Sequence, residues 1–203
     1  MAGTYKEKIV YGLNEIHVAK VADDGTFGAP VAILGAKTVE ATFESSEKKI
    51  YADNNTVYVD KRVSSGKGKL GVLGLTMTEK ALLAGGENMS GGFALNKNTN
   101  APNLALLFSQ DKADGGKILT VVYNSQFSIP GINAVTTEEE MEEQIAEIEF
   151  TCSPELAEGY YYYSVDTKDA NIDQTMVDAW FTKVQMPKKT SVPTGAQATK
   201  ISK

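Results

Sequence analysis

Gly66-Lys67-Gly68-Lys69-Leu70-Gly71 spells GxGxxG, the spacing that lets a strand end, a backbone approach a pyrophosphate and a helix N-terminus receive it. Its surroundings here are reversed. Polar residues precede it and the apolar, glycine-spaced Val72-Leu73-Gly74-Leu75 follows, a strand pattern, so the glycines are expected where a loop returns to a sheet. His17 is the sole histidine, and a Ser/His/Asp triad would have to be assembled around it with no nucleophile elbow in the chain. It falls inside a strand pattern and is expected to pack or to face a neighbour. Cys152 is the only cysteine, which rules out an intramolecular disulfide and a cysteine-based zinc cluster. Beside apolar residues it reads as a small buried hydrophobe.

Residues 138 to 149 hold seven glutamates and no base. The DxDxDG spacing of a calcium loop is missing, so the run reads as a solvated face or as a surface for a basic segment of another copy. HExxH, Walker and kinase signatures are absent. The chain is therefore not expected to be an enzyme, and no catalytic, cofactor-binding or metal-ligating residue is assigned.

The elements that would carry these residues are mostly strands. Val10 to Val21 reads as a strand, and Ala22-Asp23-Asp24-Gly25 supplies the turn that returns Phe27 to Leu34 beside it. Thr38 to Phe43 alternates, with Val39, Ala41 and Phe43 on one face. Residues 44 to 69 are polar and punctuated and read as a long loop, a length that in a compact domain signals function. Within residues 47 to 69, six bases (Lys48, Lys49, Lys61, Arg62, Lys67, Lys69) outnumber three acids (Glu47, Asp53, Asp60). Basic charge thus collects on an acidic chain.

Leu70 to Met77 resumes an apolar strand, and a short helix follows over residues 78 to 84 behind Thr78 as N-cap, stopped by Gly85-Gly86. Leu104 to Phe108 and Ile118 to Tyr123 are buried strands joined through Asp111 to Gly116. A strand from about Ala146 places Ile148, Phe150 and Cys152 on one face, while residues 138 to 144 fit helix and strand equally. Tyr160 to Val165 is a β-prone aromatic run. Asp173 caps a last helix over residues 174 to 184 whose apolar stripe is Met176, Val177, Trp180, Phe181 and Val184, with Trp180 and Phe181 at its core. Residues 188 to 203, with four lysines and no acids, read as a flexible arm behind a single domain of residues 1 to 187.

The composition of the 203 residues agrees with a folded mainly-β domain: 42% hydrophobic, with 18 glycines against 6 prolines. The net charge of −6 argues against a broad phosphate-neutralising surface. No apolar stretch approaches the roughly 20 residues that span a bilayer, and the first residues have no secretory apolar core. Neither a membrane nor an oxidising compartment is expected.

Tyr11-Gly12-Leu13 with Ile16-His17-Val18-Ala19, Tyr51-Ala52-Asp53-Asn54, Gly68-x-Leu70, Ala105-Leu106-Leu107-Phe108, Val122-Tyr123-Asn124 and Asp178-x-Trp180-Phe181 through Met186-Pro187 run in order over most of the chain. Together they resemble the major tail proteins of siphophages, the subunits of long non-contractile tail tubes. The chain departs from that pattern at Val18, where the family often has an aromatic residue, and in its acidic 138 to 143 stretch. The resemblance implies a β-sandwich or partial barrel with a flanking helix. Six copies would form a ring whose inner strands join into one barrel, and rings would stack into a tube through the 44 to 69 loop and terminal arms.

Its partners would be further copies of itself and the tape measure, tail terminator and distal tail proteins. DNA would pass through the lumen without specific binding. The protein would reside in the virion tail after assembly in the host cytoplasm, with no cofactor. Lys48, Lys49, Tyr51, Asp53, Lys61 and Arg62 are the implied stacking contacts, and Glu138, Glu139, Glu147 and Glu149 the implied acidic lumen or interface residues. The competing reading is a receptor-binding or adhesion β-sandwich that uses Tyr160 to Tyr163.

Overall fold

A computed structural model describes residues 5–129, 131–132 and 145–188. After a 3-10 turn at Tyr5–Lys8 come β1 (Val10–Lys20), β2 (Val31–Ile33), β3 (Ala36–Ala52), β4 (Asn55–Val72), α1 (Met77–Ala84), β5 (Glu87–Met89) and β6 (Gly92–Ala94). The second half contributes β7 (Leu104–Lys112), β8 (Lys117–Phe127), β9 (Ala146–Cys152), β10 (Tyr162–Asp166) and α2 (Gln174–Asp178). The fold is mainly β, as expected.

Eight strands form one antiparallel sheet in the order β2-β1-β7-β8-β9-β4-β3, with β10 branching from β8. The branch arises because β8 divides one edge between two partners: Ile118 to Val122 pair with β10, and Ser125 to Phe127 pair with β9. The central hairpin β7–β8 is buried on both faces, and alternation sorts its residues. Leu104, Leu106 and Val122 enter a core that the curled sheet wraps with Ile16, Val18, Leu70, Ile148 and Phe150, and Leu83 of α1 packs into it. Ala105, Leu107, Val121 and Tyr123 enter a second core covered by the C-terminal segment through Met176, Trp180 and Val184. Near-continuous apolar runs are what two-sided burial requires.

The expected first hairpin forms: Ile16, His17 and Val18 pair with Ile33, Ala32 and Val31, and Gly25 N–H donates to the Ala22 carbonyl in the turn. The strand from Ala146 also forms, with Ile148, Phe150 and Cys152 buried and Glu147, Glu149 and Thr151 exposed. Two helix boundaries differ from expectation. Thr76, not Thr78, caps α1: its hydroxyl accepts from Glu79 N–H at 3.2 Å, and the Glu79 carboxylate accepts from Thr76 N–H at 2.7 Å. This reciprocal pair draws Met77 into the helix, so the strand stops at Val72. Gly85, at φ 72°, closes the helix as expected. Asp173 caps α2 as expected, but the helix ends at Asp178, because Trp180 N–H turns to Val177, three residues back.

The largest difference lies in residues 44 to 69. They are not a loop. β3 and β4 pair from Ala36↔Val72 to Ala52↔Asn55 as one long hairpin. The glycines of the GxGxxG match lie inside β4 and have a packing role. A methyl group on Gly66 would overlap the Cys152 sulfur and crowd the Phe43 ring, and one on Gly68 would overlap the Glu40 carbonyl and the Phe150 ring. Gly71 has the same relation to the Thr38 hydroxyl. These glycines let β3 and β9 close on β4. Gly68→Ala should therefore destabilise the domain by about 2–3 kcal/mol, read as a lower urea midpoint, whereas Gly91→Ala meets open space and pays only for its positive φ.

Candidate interaction surface

β4 pairs with β9 only over Gly66 to Val72. Beyond Glu44 and Ser65 the hairpin is paired only to itself among the described residues, and both outer edges present bare backbone N–H and C=O groups. At about 3.3 Å per residue the nine residues Glu44 to Ala52 carry it roughly 30 Å from the body. Asp53 and Asn54, at φ 51° and 63°, form the two-residue turn at its tip. That left-handed pair matches the twist of a hairpin and is tolerated by Asp and Asn.

The arm carries Ile50, Tyr51, Val57, Tyr58, Val59 and Val63, all about half exposed or more. Cross-strand register places Ile50 with Tyr58 on one face and Lys49 with Val59 on the other. Both faces are thus partly apolar. An isolated two-stranded hairpin is marginal in water, and one with bare edges and two apolar faces has the chemistry of a segment completed by contact.

All six predicted stacking residues lie on this arm. Lys49 pairs with Glu47 at 2.8 Å and Arg62 with Asp60 at 2.8 Å, while Lys61 stands across from Glu47 and Lys48 across from Asp60. Lys67 is held by Glu44, and Lys69 lies 3.4 Å from Glu149. Hydrogen bonding and charge from Lys49 lower the Glu47 pKa, and those from Lys67 lower that of Glu44. Much of the basic excess is therefore matched within the chain. Exposed pairs of this kind contribute little and are screened by salt, so the apolar side chains outweigh them as determinants of contact. Asp53 is a turn residue.

The sequence reading omitted Ile50, Val57, Tyr58, Val59 and Val63. Their signal was present, because two β-prone runs flanking Asp53-Asn54 are a hairpin pattern. Glu147 and Glu149 project from the exposed face of β9; Glu138 and Glu139 lie outside the described residues, as do residues 138 to 144 altogether and the arm from residue 189. Trp180 is fully buried in the second core, and Phe181 stacks on His17 with centroids 4.6 Å apart. His17 is thus a packing residue, and burial lowers its pKa despite Glu15 nearby. Cys152 is buried, and desolvation raises its pKa to about 11. Its thiol stays protonated at neutral pH.

At the base of the arm the Phe43 ring stacks on Tyr162 at 5.0 Å and meets Tyr161 edge-on at 5.8 Å. The loop that delivers these tyrosines is organised by Glu155, a buried carboxylate that accepts backbone N–H groups from Ala157 and Glu158 at 2.6 Å and from Tyr160 at 3.1 Å. Burial opposes its charge, but these donors outweigh burial and hold its pKa below the usual range. A depressed folded pKa contributes stability above the unfolded value, near 4.3, that is lost as pH falls through the folded value. Glu155→Gln should lower the urea midpoint at pH 7, and the difference from wild type should shrink toward pH 3.

Among the described residues no helix is long and apolar enough to cross a membrane. No protein-family model matches the chain, and no curated protein matches it.

Proposed function

We propose that this chain is a self-assembling structural subunit of the phage tail-tube type, in which copies form rings and the rings stack into a tube that conducts DNA. The observation that carries this reading is the β3–β4 arm, which projects with two bare edges and two partly apolar faces. In a ring, the edges of neighbouring arms pair and remove the aggregation liability of an open sheet. An acidic or neutral lumen lets the DNA backbone pass without adhering. Tape measure, tail terminator and distal tail proteins are the partners of such a tube, and the virion tail is its place.

The resemblance in the ordered segments from Tyr11 to Pro187 supports the same reading. The adhesion alternative draws less support, because of Tyr160 to Tyr163 only Tyr162, at 51%, is exposed, and it already stacks on Phe43. Negative-stain imaging of the purified protein over a range of salt and concentration should reveal rings or tubes. Monomer alone at every condition, together with tails that lack the chain, would overturn the proposal.

A further inference from the structure

The β3–β4 hairpin has two ends, and both carry exposed apolar residues. At the tip end lie Ile50, Tyr51, Val57 and Tyr58. At the other end, where Ala36 pairs with Val72, the chain enters β3 through Leu34 and leaves β4 through Leu73. Leu34 is 79% exposed and Leu73 48% exposed. Leu73 N–H donates to the Gly35 carbonyl at 2.9 Å, and the Leu73 side chain lies over Gly35, where a methyl group would stand 3.1 Å from it. Ile145, 47% exposed, leads into β9 beside them, its methyl 3.6 Å from where a side chain on Gly71 would begin.

Leu34, Leu73 and Ile145 therefore form an apolar patch at the foot of the hairpin, about 50 Å from its tip by strand rise. The charges of the two ends are complementary. On the arm, register places Lys48, Asp60 and Arg62 on one face and Glu47, Lys49 and Lys61 on the other, two bases to one acid each time. Beside the foot, Glu40, Glu147 and Glu149 share one face with the single base Lys69.

We infer that the foot patch is the acceptor for the arm tip of a second copy of this chain, so that successive copies join tip to foot along the hairpin direction. Such a contact is heterologous: each copy offers one tip and one foot, and the unsatisfied ends propagate the assembly without a fixed limit. Apolar contact between Ile50 with Tyr58 and Leu34 with Leu73 supplies the attraction, and the surplus bases opposite the surplus acids set direction. This inference rests on the self-assembly reading and names the surface that receives the arm.

The test uses the full chain in two variants, a tip variant (Ile50→Asp with Tyr58→Asp) and a foot variant (Leu34→Asp with Leu73→Asp). All four positions are exposed, so circular dichroism and melting should match wild type. Each variant alone should need at least about tenfold more protein than wild type to polymerise. Mixed, they should form complexes holding the two variants in equal numbers, seen by native mass spectrometry, because the tip variant keeps an intact foot and the foot variant an intact tip.

If wild type polymerises and the foot variant does so at the same concentration, the acceptor is elsewhere, and the inference falls while the self-assembly reading stands. Mixtures that never associate would overturn it equally. A wild type that polymerises under no condition would overturn both.

Discussion

Deleting Ser46 to Arg62 and joining Ser45 to Val63 through an Asn-Gly turn should abolish rings and tubes while leaving the body folded. Ser45 and Val63 already face each other across the ladder, so a two-residue turn of that type closes the shortened hairpin without strain. The removed residues are exposed or, like Asp60, half-exposed, and none belongs to either core. Core packing and the pairing of β4 with β9 are untouched, and the melting temperature should stay within a few degrees of wild type. Assembly loses the bare edges and the six predicted contacts Lys48, Lys49, Tyr51, Asp53, Lys61 and Arg62 together, along with Ile50, Tyr58 and Val59. Imaging at a concentration where wild type polymerises should show only dispersed particles. Tubes of normal appearance from the shortened chain would remove the arm from the mechanism.

Trp180→Ala should act in the opposite sense, on the body and not on the arm. Trp180 is the largest fully buried side chain; it packs among Leu107, Tyr123, Val165, Met176 and Val184 and lies 6.0 Å from the Tyr163 ring. Truncation leaves a cavity under the C-terminal segment, whose other attachments include the Tyr123 hydroxyl donating to the Gln185 carbonyl at 2.6 Å and Phe181 on His17. Such a change costs about 3–5 kcal/mol, a large share of the roughly 5–15 kcal/mol available to a domain. A fall in melting temperature of roughly 10–15 °C follows for a chain of this size. Trp180→Phe keeps most of the buried volume and should lose less than half as much. Equal losses for the two would mean that the site does not depend on filling.

The buried ion cluster at the far end of β7 shows why charge has to be placed by structure before it is given a role. Lys112 lies almost wholly out of solvent, held by Asp166 of β10 and by Asp114 in the β7–β8 turn. Hydrogen bonds from both acids raise its pKa. In the sequence, Lys112 is one more base in a turn-rich connection; in the fold it ties the branch strand to the central hairpin.

Local patterning was enough to determine the strand content, the first hairpin, the two-sided burial of β7 and β8, the alternation of Ile148, Phe150 and Cys152, the Asp173 cap and the apolar stripe ending at Val184. Each follows from periodicities of two or 3.6 and from capping chemistry, which act over a few residues. What residues 44 to 69 do was decided only in three dimensions. Their charges and glycines read locally as loop punctuation, whereas the ladder from Ala36↔Val72 to Ala52↔Asn55 and the support of β9 make them a projecting hairpin. The pairing of Glu47 with Lys49 and Asp60 with Arg62, the glycines that admit Phe150 and Cys152, and the separation of tip from foot are distances between strands. Strand pairing joins residues far apart in the chain, and that register is specified by packing across the whole sheet, not by any one segment.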